Sequence, residues 1–305
     1  MGMKVTDLAD SWHMDAARIE YRGRGELVFK GRIFRGLSRQ ADMIADNKLA
    51  CKRVLSELRI PVAEALVFAD AEAEEDLISQ FLRRHRPAVC KPLDGTEGIG
   101  VLMDAAEPRQ IEHHWQTWKG RYRRFMLERQ VAGSDLRIQV IGGRLAAACI
   151  RIPATLKGDG RCTVQELIEK RNLEIARQNP ANHIDLDDQV HELLNRAGLG
   201  LGSVPEEGRE TRIKNIANMS QGARAVDVTD RLHGAYVRWA TLVAETLELP
   251  MFSMDVVTPN IETEPGQETA VLEINSRAAW LHHTFSEIRQ HDIPLLILNH
   301  LFGLV

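Results

Sequence analysis

The chain has 305 residues, 44% of them hydrophobic and 27% charged, a composition typical of a globular protein large enough for more than one lobe. Its formal net charge of −4 gives no basic excess of the kind that binds DNA or RNA, so we expect no nucleic-acid partner. Charges interrupt the amino-terminal residues and no long apolar run follows, so we expect no signal peptide, no membrane contact and a cytoplasmic location.

The predicted elements are mixed helices and strands that follow an irregular segment, residues 1–40, with clusters of glycine and arginine. Apolar residues at helical spacing predict a helix over residues 42–58, closed by Pro61. Mixed elements with hairpins predict the α+β class. The later predicted elements are strand 63–68, helix 71–84, strand 88–91, strand 125–128, a hairpin of 135–140 and 144–152 turned at Gly142-Gly143, a helix from about Thr163 within a polar stretch at 154–182, helix 187–197, helix 235–249 after the capping candidates Thr229 and Asp230, and strands 252–257 and 269–275.

The cysteines show neither a CxxC pair nor the spacing of a zinc site, and their neighbours are largely apolar. We therefore predict free thiols, mostly in the core, in a reducing compartment. They are Cys51, Cys90, Cys149 and Cys162.

The last two predicted strands carry a candidate metal site. Side chains alternate between the faces of a strand, so Glu273 and Asn275 share one face, and Asp255 points away from its apolar neighbours. If the two strands pair, these oxygen atoms form a ligand set suited to Mg²⁺. A polar, solvent-facing side of a sheet explains the same pattern.

A glycine-rich loop, residues 94–100, follows Lys91 at the end of a short strand. Its glycines allow the backbone N–H groups to approach a phosphate, although the loop lacks the Gly-Lys-Ser/Thr ending of a Walker A motif; a simple hairpin turn is the alternative. Lys48 lies on the apolar stripe of the first predicted helix, where it either extends to solvent or reaches a phosphate. The glycines are Gly95, Gly98 and Gly100.

Two acids, Glu128 and Asp135, flank a bend at Gly133 just after an apolar strand. This arrangement suits a hinge at which backbone groups meet a planar base and carboxylates meet ribose hydroxyls. A structural turn has the same pattern.

Taken in order, the motifs resemble those of ATP-grasp ligases, in particular the ATP-grasp domains of cyanophycin synthetases and bifunctional glutathione synthetases. They are the two lysines, KPLDGxxGxGV, LERxxxGxDLR, RIPAxxxGDG, NxSxGxxAxDVTD, MDVV and LEINS, and they cover residues 41–283. The resemblance implies an ATP-grasp fold, in which two α+β lobes grip ATP. It also implies a reduced amino-terminal segment at 1–40, a lid subdomain at 41–127 and a catalytic subdomain at 128–305.

The resemblance assigns a role to each site residue. Lys48 and Lys91 would bracket the nucleotide beneath a flap formed by the glycine-rich loop. Asp255, Glu273 and Asn275 would hold two Mg²⁺ ions, with Mn²⁺ as the alternative. The remaining implied roles are adenine binding for Glu128 and the backbone of Arg129 to Val131, ribose binding for Asp135, a position near the γ-phosphate or acyl intermediate for Arg151, a phosphate and acceptor role for Lys214 and Asn218, and the start of a closing loop at Lys157 to Gly160.

The implied activity is ATP-dependent joining of a carboxylate to an amine through an acyl phosphate. Amino acids or small peptides are the expected substrates, and family habit suggests a homodimer. A ligase that modifies a protein or polymer end is the first alternative, with Arg32, Arg35 and Arg39 as a weak indication. A nucleotide-binding module without turnover and a kinase-like phosphotransferase are the others.

The chain departs from the family pattern in three places. Residues 277–280 replace the usual proline–glycine pair after the metal strand, which leaves the acceptor open. Ile99 stands where the relatives tend to have arginine. Residues 1–40 replace a larger preceding domain, so we expect donor recognition by residues 21–39, a second subunit or a partner protein. His282 and His283 are expected to be packing or substrate-edge residues, because oxygen ligands suit Mg²⁺ better.

Overall fold

The computed structural model describes residues 2–95, 98–178 and 182–304, so Thr96 and Glu97 of the predicted flap and residues 179–181 of the predicted polar stretch lie outside the described residues. The described strands form four sheets in which neighbouring strands are antiparallel. They are β1 (Lys4–Asp7), β2 (Ala16–Tyr21), β3 (Arg24–Phe29), β4 (Ala65–Phe68), β5 (Ala88–Pro92), β6 (Leu102–Ala105), β7 (Phe125–Arg129), β8 (Ser134–Ile141), β9 (Arg144–Ile152), β10 (Thr155–Lys157), β11 (Glu210–Arg212), β12 (Arg224–Asp227), β13 (Met251–Thr258) and β14 (Ala270–Asn275).

Most α-helices of the described residues cover the sheets, and two of them belong to an insert between β9 and β12 in the sequence. They are α1 (Ala9–Trp12), α2 (Arg39–Asp46), α3 (Lys48–Glu57), α4 (Glu75–Arg84), α5 (Pro108–Trp118), α6 (Val164–Gln178), α7 (Asp188–Arg196), α8 (Gly234–Thr246), α9 (Leu281–Thr284) and α10 (Ile293–Phe302).

The largest sheet has the order β12-β9-β8-β13-β14 and carries the main hydrophobic core on one face. Leu136, Ile138 and Met254 point to that face and are fully buried against α2, α3 and α8. Because strand side chains alternate, the residues between them point to the opposite face. That opposite face is polar and holds the candidate site.

The second sheet, with the order β4-β7-β5-β6, has a separate core beneath α4 and α5. Phe68 and Phe125 stack at its centre with their ring centroids 5.8 Å apart. Ile78 and Ile111 bring the two helices onto them. This sheet contains the strands that we predicted at 63–68, 88–91 and 125–128.

Asn47 divides the predicted helix over residues 42–58 into two. Its backbone is extended, and its side chain accepts hydrogen bonds from Leu49 N and Ala50 N, which caps α3. The prediction of one continuous helix is therefore wrong. The break makes Lys48 the first residue of α3, and α2 and α3 both pack on the five-stranded sheet rather than on the sheet of β4 to β7. The division of the chain at residues 41 and 128 stays a prediction.

The described residues of 154–213 form a packed insert, whereas we predicted a polar stretch at 154–182 with one helix, followed by the helix 187–197. The short sheet of β10 and β11 joins α6 and α7 around a core that includes Leu156, Ile168 and Leu194. Polar residues on the outer faces of both helices conceal this core in the sequence. Asp187 starts α7 by accepting a hydrogen bond from Val190 N.

Residues 4–29 form an antiparallel sheet, so the expectation of an irregular amino-terminal segment is wrong. The sheet, in the order β1-β2-β3, packs against α10 at the other end of the chain. Tyr21 contacts Phe302 edge to face, with the ring centroids 6.0 Å apart. Arg24 donates to the carbonyls of Leu301 and Phe302, the oxygens that a helix end leaves unpaired. The strands are short and half exposed, so their alternation in the sequence is weak.

Two further local predictions have different outcomes. The β8–β9 hairpin turns at Gly142 and Gly143, whose φ angles of 63° and 72° explain the two glycines. His233, however, caps α8, while Thr229 and Asp230 lie in a preceding 3-10 turn, so they are not its caps.

All four cysteines are free, and three of them are buried. Among the described residues, no helix combines the length and apolar character needed to cross a membrane.

Candidate functional site

The polar face of the five-stranded sheet brings a row of functional side chains together. The strand register places Asp255 opposite both Glu273 on β14 and Arg137 on β8. Asp135 lies opposite Arg151 one step along the sheet. Residues far apart in the sequence thus meet because antiparallel pairing puts them side by side.

The metal-ligand candidates lie where the pairing hypothesis expects them. Asp255 is 4% exposed, and its Oδ1 atom is buried without a hydrogen-bond partner. Asn275 follows Glu273 on the same face and donates from Nδ2 to Glu273 Oε1 at 3.1 Å. Among the described residues, no three His, Cys, Asp or Glu side chains come together as a metal cage. Two carboxylates and an amide instead fit an ion that keeps water and phosphate oxygens in its shell, as Mg²⁺ does.

Two arginines lie beside Asp255, one of them buried and the other largely so. Arg151 Nη2 is 2.6 Å from Asp135 Oδ1 and 3.1 Å from Asp255 Oδ2. Arg137 Nε is 3.4 Å from Asp255 Oδ1, and its guanidinium also donates to Ser253 Oγ. We did not identify Arg137 from the sequence, although its position two residues after Asp135 on the same strand face was the available signal. The pair concentrates positive charge beside the metal-ligand candidates.

Burial and the neighbouring charges shift the pKa values of this cluster in opposite directions. Burial would lower the pKa of Arg151, but Asp255 and Asp135 raise it above its ordinary value, so the guanidinium is permanently charged. Burial raises the pKa of Asp135, and Arg151 offsets this only in part. Arg151 therefore keeps its positive charge beside the two carboxylates.

A second group of charges lies where α3 meets the sheet of β4 to β7. Lys91 Nζ is 2.5 Å from Glu128 Oε2, and Lys52 Nζ contacts Glu128 Oε1. The Glu128 side chain is 2% exposed, so these are buried ion pairs. Lys48, one turn before Lys52 on α3, donates to the carbonyl oxygen of Gly95 at 2.5 Å. We predicted Lys48, Lys91 and Glu128, but not Lys52, which resembles an ordinary helix-surface lysine in the sequence.

The pKa values of this group follow from the same competition. Burial would raise the pKa of Glu128, but Lys91 and Lys52 together hold it below its ordinary value. Burial would lower the pKa of Lys91, but Glu128 raises it. Burial lowers the pKa of Lys52, and the nearby Glu128 offsets this only in part. Burial also lowers the pKa of Lys48, and Glu273 offsets that only in part. Glu128 is thus ionised between its two lysines.

The hinge after β7 approaches the end of β13 closely. An added Cβ at Gly133 would lie 2.4 Å from the carbonyl of Thr258, and the φ of Gly133 is 148°. The N–H of Arg129 donates to Glu64 O at 2.9 Å, and its guanidinium donates to Gln267 O. Val131 is half-buried in the same bend. The adenine role of Glu128, Arg129 and Val131 and the ribose role of Asp135 stay predictions.

The described part of the glycine-rich loop is held from two sides. Gly98 and Gly100 have φ angles of 75° and 71°, which favour glycine. His114 on α5 is 2.8 Å from Gly100 O through Nε2. Gly95 accepts from Lys48, as described above. This loop therefore lies next to the lysine group, as the flap prediction expects.

The side chains of Lys214 and Asn218 both make contacts within the protein. Lys214 is 1% exposed, and its Nζ is 2.5 Å from Asp187 Oδ2 on the insert. The Asn218 side chain caps a 3-10 turn by accepting from Ser220 N. Their catalytic roles stay predictions.

His282 and His283 on α9 pack against β9 and β12 and are buried. Burial and the nearby Arg137 lower the pKa of both, to about 3 for His283, so both are neutral near pH 7. This agrees with the packing role that we expected. Their neutrality also avoids adding charge next to the two arginines.

Comparisons with known proteins agree with the family resemblance. Residues 45–184 match the model of the RimK-like ATP-grasp domain. The chain is 33% identical over 246 residues to cyanophycin synthetase of Nostoc sp. strain PCC 7120, covering 79% of this chain and 27% of that protein. It is 24% identical over 302 residues to the bifunctional glutathione biosynthesis protein GshAB of Streptococcus thermophilus, covering 95% of this chain and 39% of that protein. The chain thus spans well under half the length of these relatives.

The fold matches solved ATP-grasp structures. The bifunctional glutathione synthetase of Pasteurella multocida superposes with a TM-score of 0.71 at 20% identity, covering all of this chain and 42% of that chain. A D-alanine–D-alanine ligase from Bacillus anthracis superposes with a TM-score of 0.52 at 11% identity. The predicted α+β class and ATP-grasp fold are confirmed. Residues 45–184 therefore match the RimK-like ATP-grasp domain, and the chain has an ATP-grasp fold similar to that of a bifunctional glutathione synthetase.

Proposed function

We propose that the chain is an ATP-dependent carboxylate–amine ligase that forms a peptide or isopeptide bond and releases ADP and phosphate. One observation supports this most: the buried, partly unpaired carboxylate of Asp255 lies between Glu273 on one side and Arg137 and Arg151 on the other. Oxygen ligands next to fixed cations are what phosphoryl transfer requires, because its catalysis consists mainly of positioning and charge stabilisation.

The nucleotide would bind between the two larger sheets. Lys48 and Lys91 would contact its phosphates, and Lys48 would exchange the carbonyl of Gly95 for a phosphate oxygen. Each Glu128 oxygen bonds one lysine and keeps a free lone pair, so it can still accept from the amino group of adenine. Asp135 would accept from a ribose hydroxyl.

A carboxylate is a poor electrophile, so the carboxylate substrate would first attack the γ-phosphorus of ATP, which breaks the bond to ADP and gives an acyl phosphate and ADP. The amine substrate would then displace phosphate. Asp255, Glu273 and Asn275 would hold Mg²⁺, with Mn²⁺ as the alternative, and the bound ion neutralises charge on the transferring phosphoryl group. Arg151 and Arg137 would bind phosphoryl oxygens, since both guanidinium groups lie within 3.4 Å of the Asp255 carboxylate.

The flap and the insert would keep water from the acyl phosphate, which hydrolyses when exposed. The names of the relatives support amino acids or small peptides as substrates. We assign the replaced turn at residues 277–280 to acceptor choice, because it lies directly after the metal-ligand strand.

The experiment is to measure phosphate release with ATP and Mg²⁺ across pairs of amino-acid and dipeptide substrates. We expect release that needs both a carboxylate and an amine and yields ADP. Glu273→Gln should abolish it. Glu264→Gln is the matched control, because Glu264 is an exposed residue in the loop of the same β-hairpin and should leave release intact.

The outcomes separate the hypotheses. Nucleotide binding without release for any pair would favour a protein or polymer end as the substrate, which is tested by adding peptides and proteins to the same assay. Phosphate transfer that needs no amine would indicate a kinase-like enzyme. Failure of the wild type to bind ATP would refute the proposal.

A further inference from the structure

Lys52 is the least exposed lysine of the group around Glu128, and nothing in the sequence motifs assigns it a role. It is 4% exposed, and its Nζ contacts Glu128 Oε1 and lies 3.4 Å from the carbonyl oxygen of Ala63. Lys91 takes the other oxygen of the same carboxylate at 2.5 Å. Glu128 is therefore held through both of its oxygens.

The contact between Lys52 and Glu128 joins two separately packed parts of the molecule. Lys52 is on α3, whose apolar residues Cys51 and Leu55 belong to the core of the five-stranded sheet. Glu128 is on β7, whose neighbours Phe125 and Leu127 belong to the core of the other sheet. The ion pair thus sets where β7 lies relative to α3.

The placement of two lysines on one face of α3 is unfavourable for the stability of that helix. Lys48 and Lys52 are four residues apart, so they lie on one helix face, and like charges at this spacing repel. Lys52 and Lys91 share the charge of one carboxylate, Glu128, while Lys48 contacts only the carbonyl oxygen of Gly95. A surplus of buried cations suits a site that receives an anionic ligand.

The three lysines differ in access to such a ligand. The Lys52 side chain is 5% exposed and sits behind Glu128, whereas that of Lys91 is 11% exposed and Lys48 is half-buried beside the glycine-rich loop. A ligand on the open side can reach Lys48 and Lys91 without displacing Lys52. The direct contact through which Lys52 would affect the ligand is therefore the one with Glu128.

We infer that Lys52 is a positioning residue for nucleotide binding: by holding Glu128 Oε1, it fixes Glu128 and Lys91 in register with Lys48 across the cleft. This inference rests on the proposed function, because it takes the ligand to be ATP. Misplacing a binding group by a fraction of its contact distance weakens every hydrogen bond it makes.

The test is a double-variant cycle that measures the Kd of ATP by calorimetry with Mg²⁺ present. Lys52→Met removes the charge and keeps the length of the side chain, and we expect it to raise the Kd at least about tenfold, as loss of an outer supporting partner commonly does. Arg53→Met is the matched control: Arg53 is the next residue on α3 and is exposed, so the Kd should not change. Lys52→Met in a Glu128→Gln background should cause no further loss, because Lys52 would act only through Glu128.

Each possible set of Kd values either supports or overturns the positioning role of Lys52. A Kd for Lys52→Met equal to that of Arg53→Met would overturn the positioning role while leaving the ligase proposal intact. Additive losses in the cycle would overturn it as well, since Lys52 would then act independently of Glu128. If Lys52→Met does not fold, the Kd of Glu128→Gln is compared with that of the double variant, in which no carboxylate is left unpaired. Equal Kd values would still support the positioning role, and a higher Kd for the double variant would overturn it. A wild type that does not bind ATP would overturn both proposals.

Discussion

Replacing Gly133 with alanine tests the hinge between β7 and β8. The added Cβ would lie 2.4 Å from both the carbonyl carbon and oxygen of Thr258 and 2.8 Å from Pro259 N, all backbone atoms that cannot rotate away. The φ of 148° adds backbone strain for any residue with a Cβ. Overpacking costs about 1–3 kcal/mol and strain of this kind a similar amount, so we expect a loss of about 3 kcal/mol in the free energy of unfolding.

Urea denaturation and thermal melting measure this loss directly, and about 3 kcal/mol corresponds to a decrease of about 5 °C in Tm for a chain of this size. Gly120→Ala is the control, because an added Cβ there meets nothing within 4 Å. The Kd of ATP should also rise for Gly133→Ala, since Glu128 and Asp135 flank the hinge. Equal stability of the two variants would refute the close approach of the hinge to β13.

Three further predictions concern charges. Asp255→Asn should abolish phosphate release and lower the free energy of unfolding by about 3 kcal/mol, because Arg137 and Arg151 lose a buried partner; retained release would exclude Asp255 as a metal ligand. Lys91 and Lys52 hold the folded-state pKa of Glu128 below its ordinary value, so its stabilising contribution is fully present above that ordinary value and is lost as the pH falls through the folded-state pKa. Urea denaturation from pH 7 to pH 3 should show a shallower acid loss for Glu128→Gln, and parallel curves would contradict this. Arg277→Ala should cost less than about 1 kcal/mol, because its side chain is 40% exposed where it pairs with Asp42 and Asp46; thermal melting with and without added salt checks it, and a larger, salt-independent loss would contradict it.

Much of the fold could be predicted because its local signals are strong. The hairpin at Gly142 and Gly143 has the residues that its turn requires, and the apolar strands 88–91 and 125–128 were recognisable from their composition. The amino-terminal sheet was missed because its strands are short and gain their burial from α10, at the opposite end of the chain. The break at Asn47 was missed because a capping side chain, and not a loss of apolar periodicity, separates the two helices.

The candidate site, like the fold, has features that local sequence patterns predicted and features that they did not. Strand alternation placed Glu273 and Asn275 on one face, and this needed only the period of a β-strand. The motif order identified the ATP-grasp resemblance in the same way, since it depends on residues that are near each other in the sequence.

What the sequence by itself determined about this protein is therefore its α+β class and its resemblance to the ATP-grasp ligases, whereas the residues that would face a nucleotide stay predictions. Only the tertiary structure decided the partners: that Arg137 lies against Asp255, that Lys52 shares Glu128 with Lys91, and that Lys214 pairs with Asp187. The physical reason is that charge pairing depends on distances of a few ångströms between residues far apart in the chain. Local periodicity carries no information about such distances; sheet register and helix packing fix them.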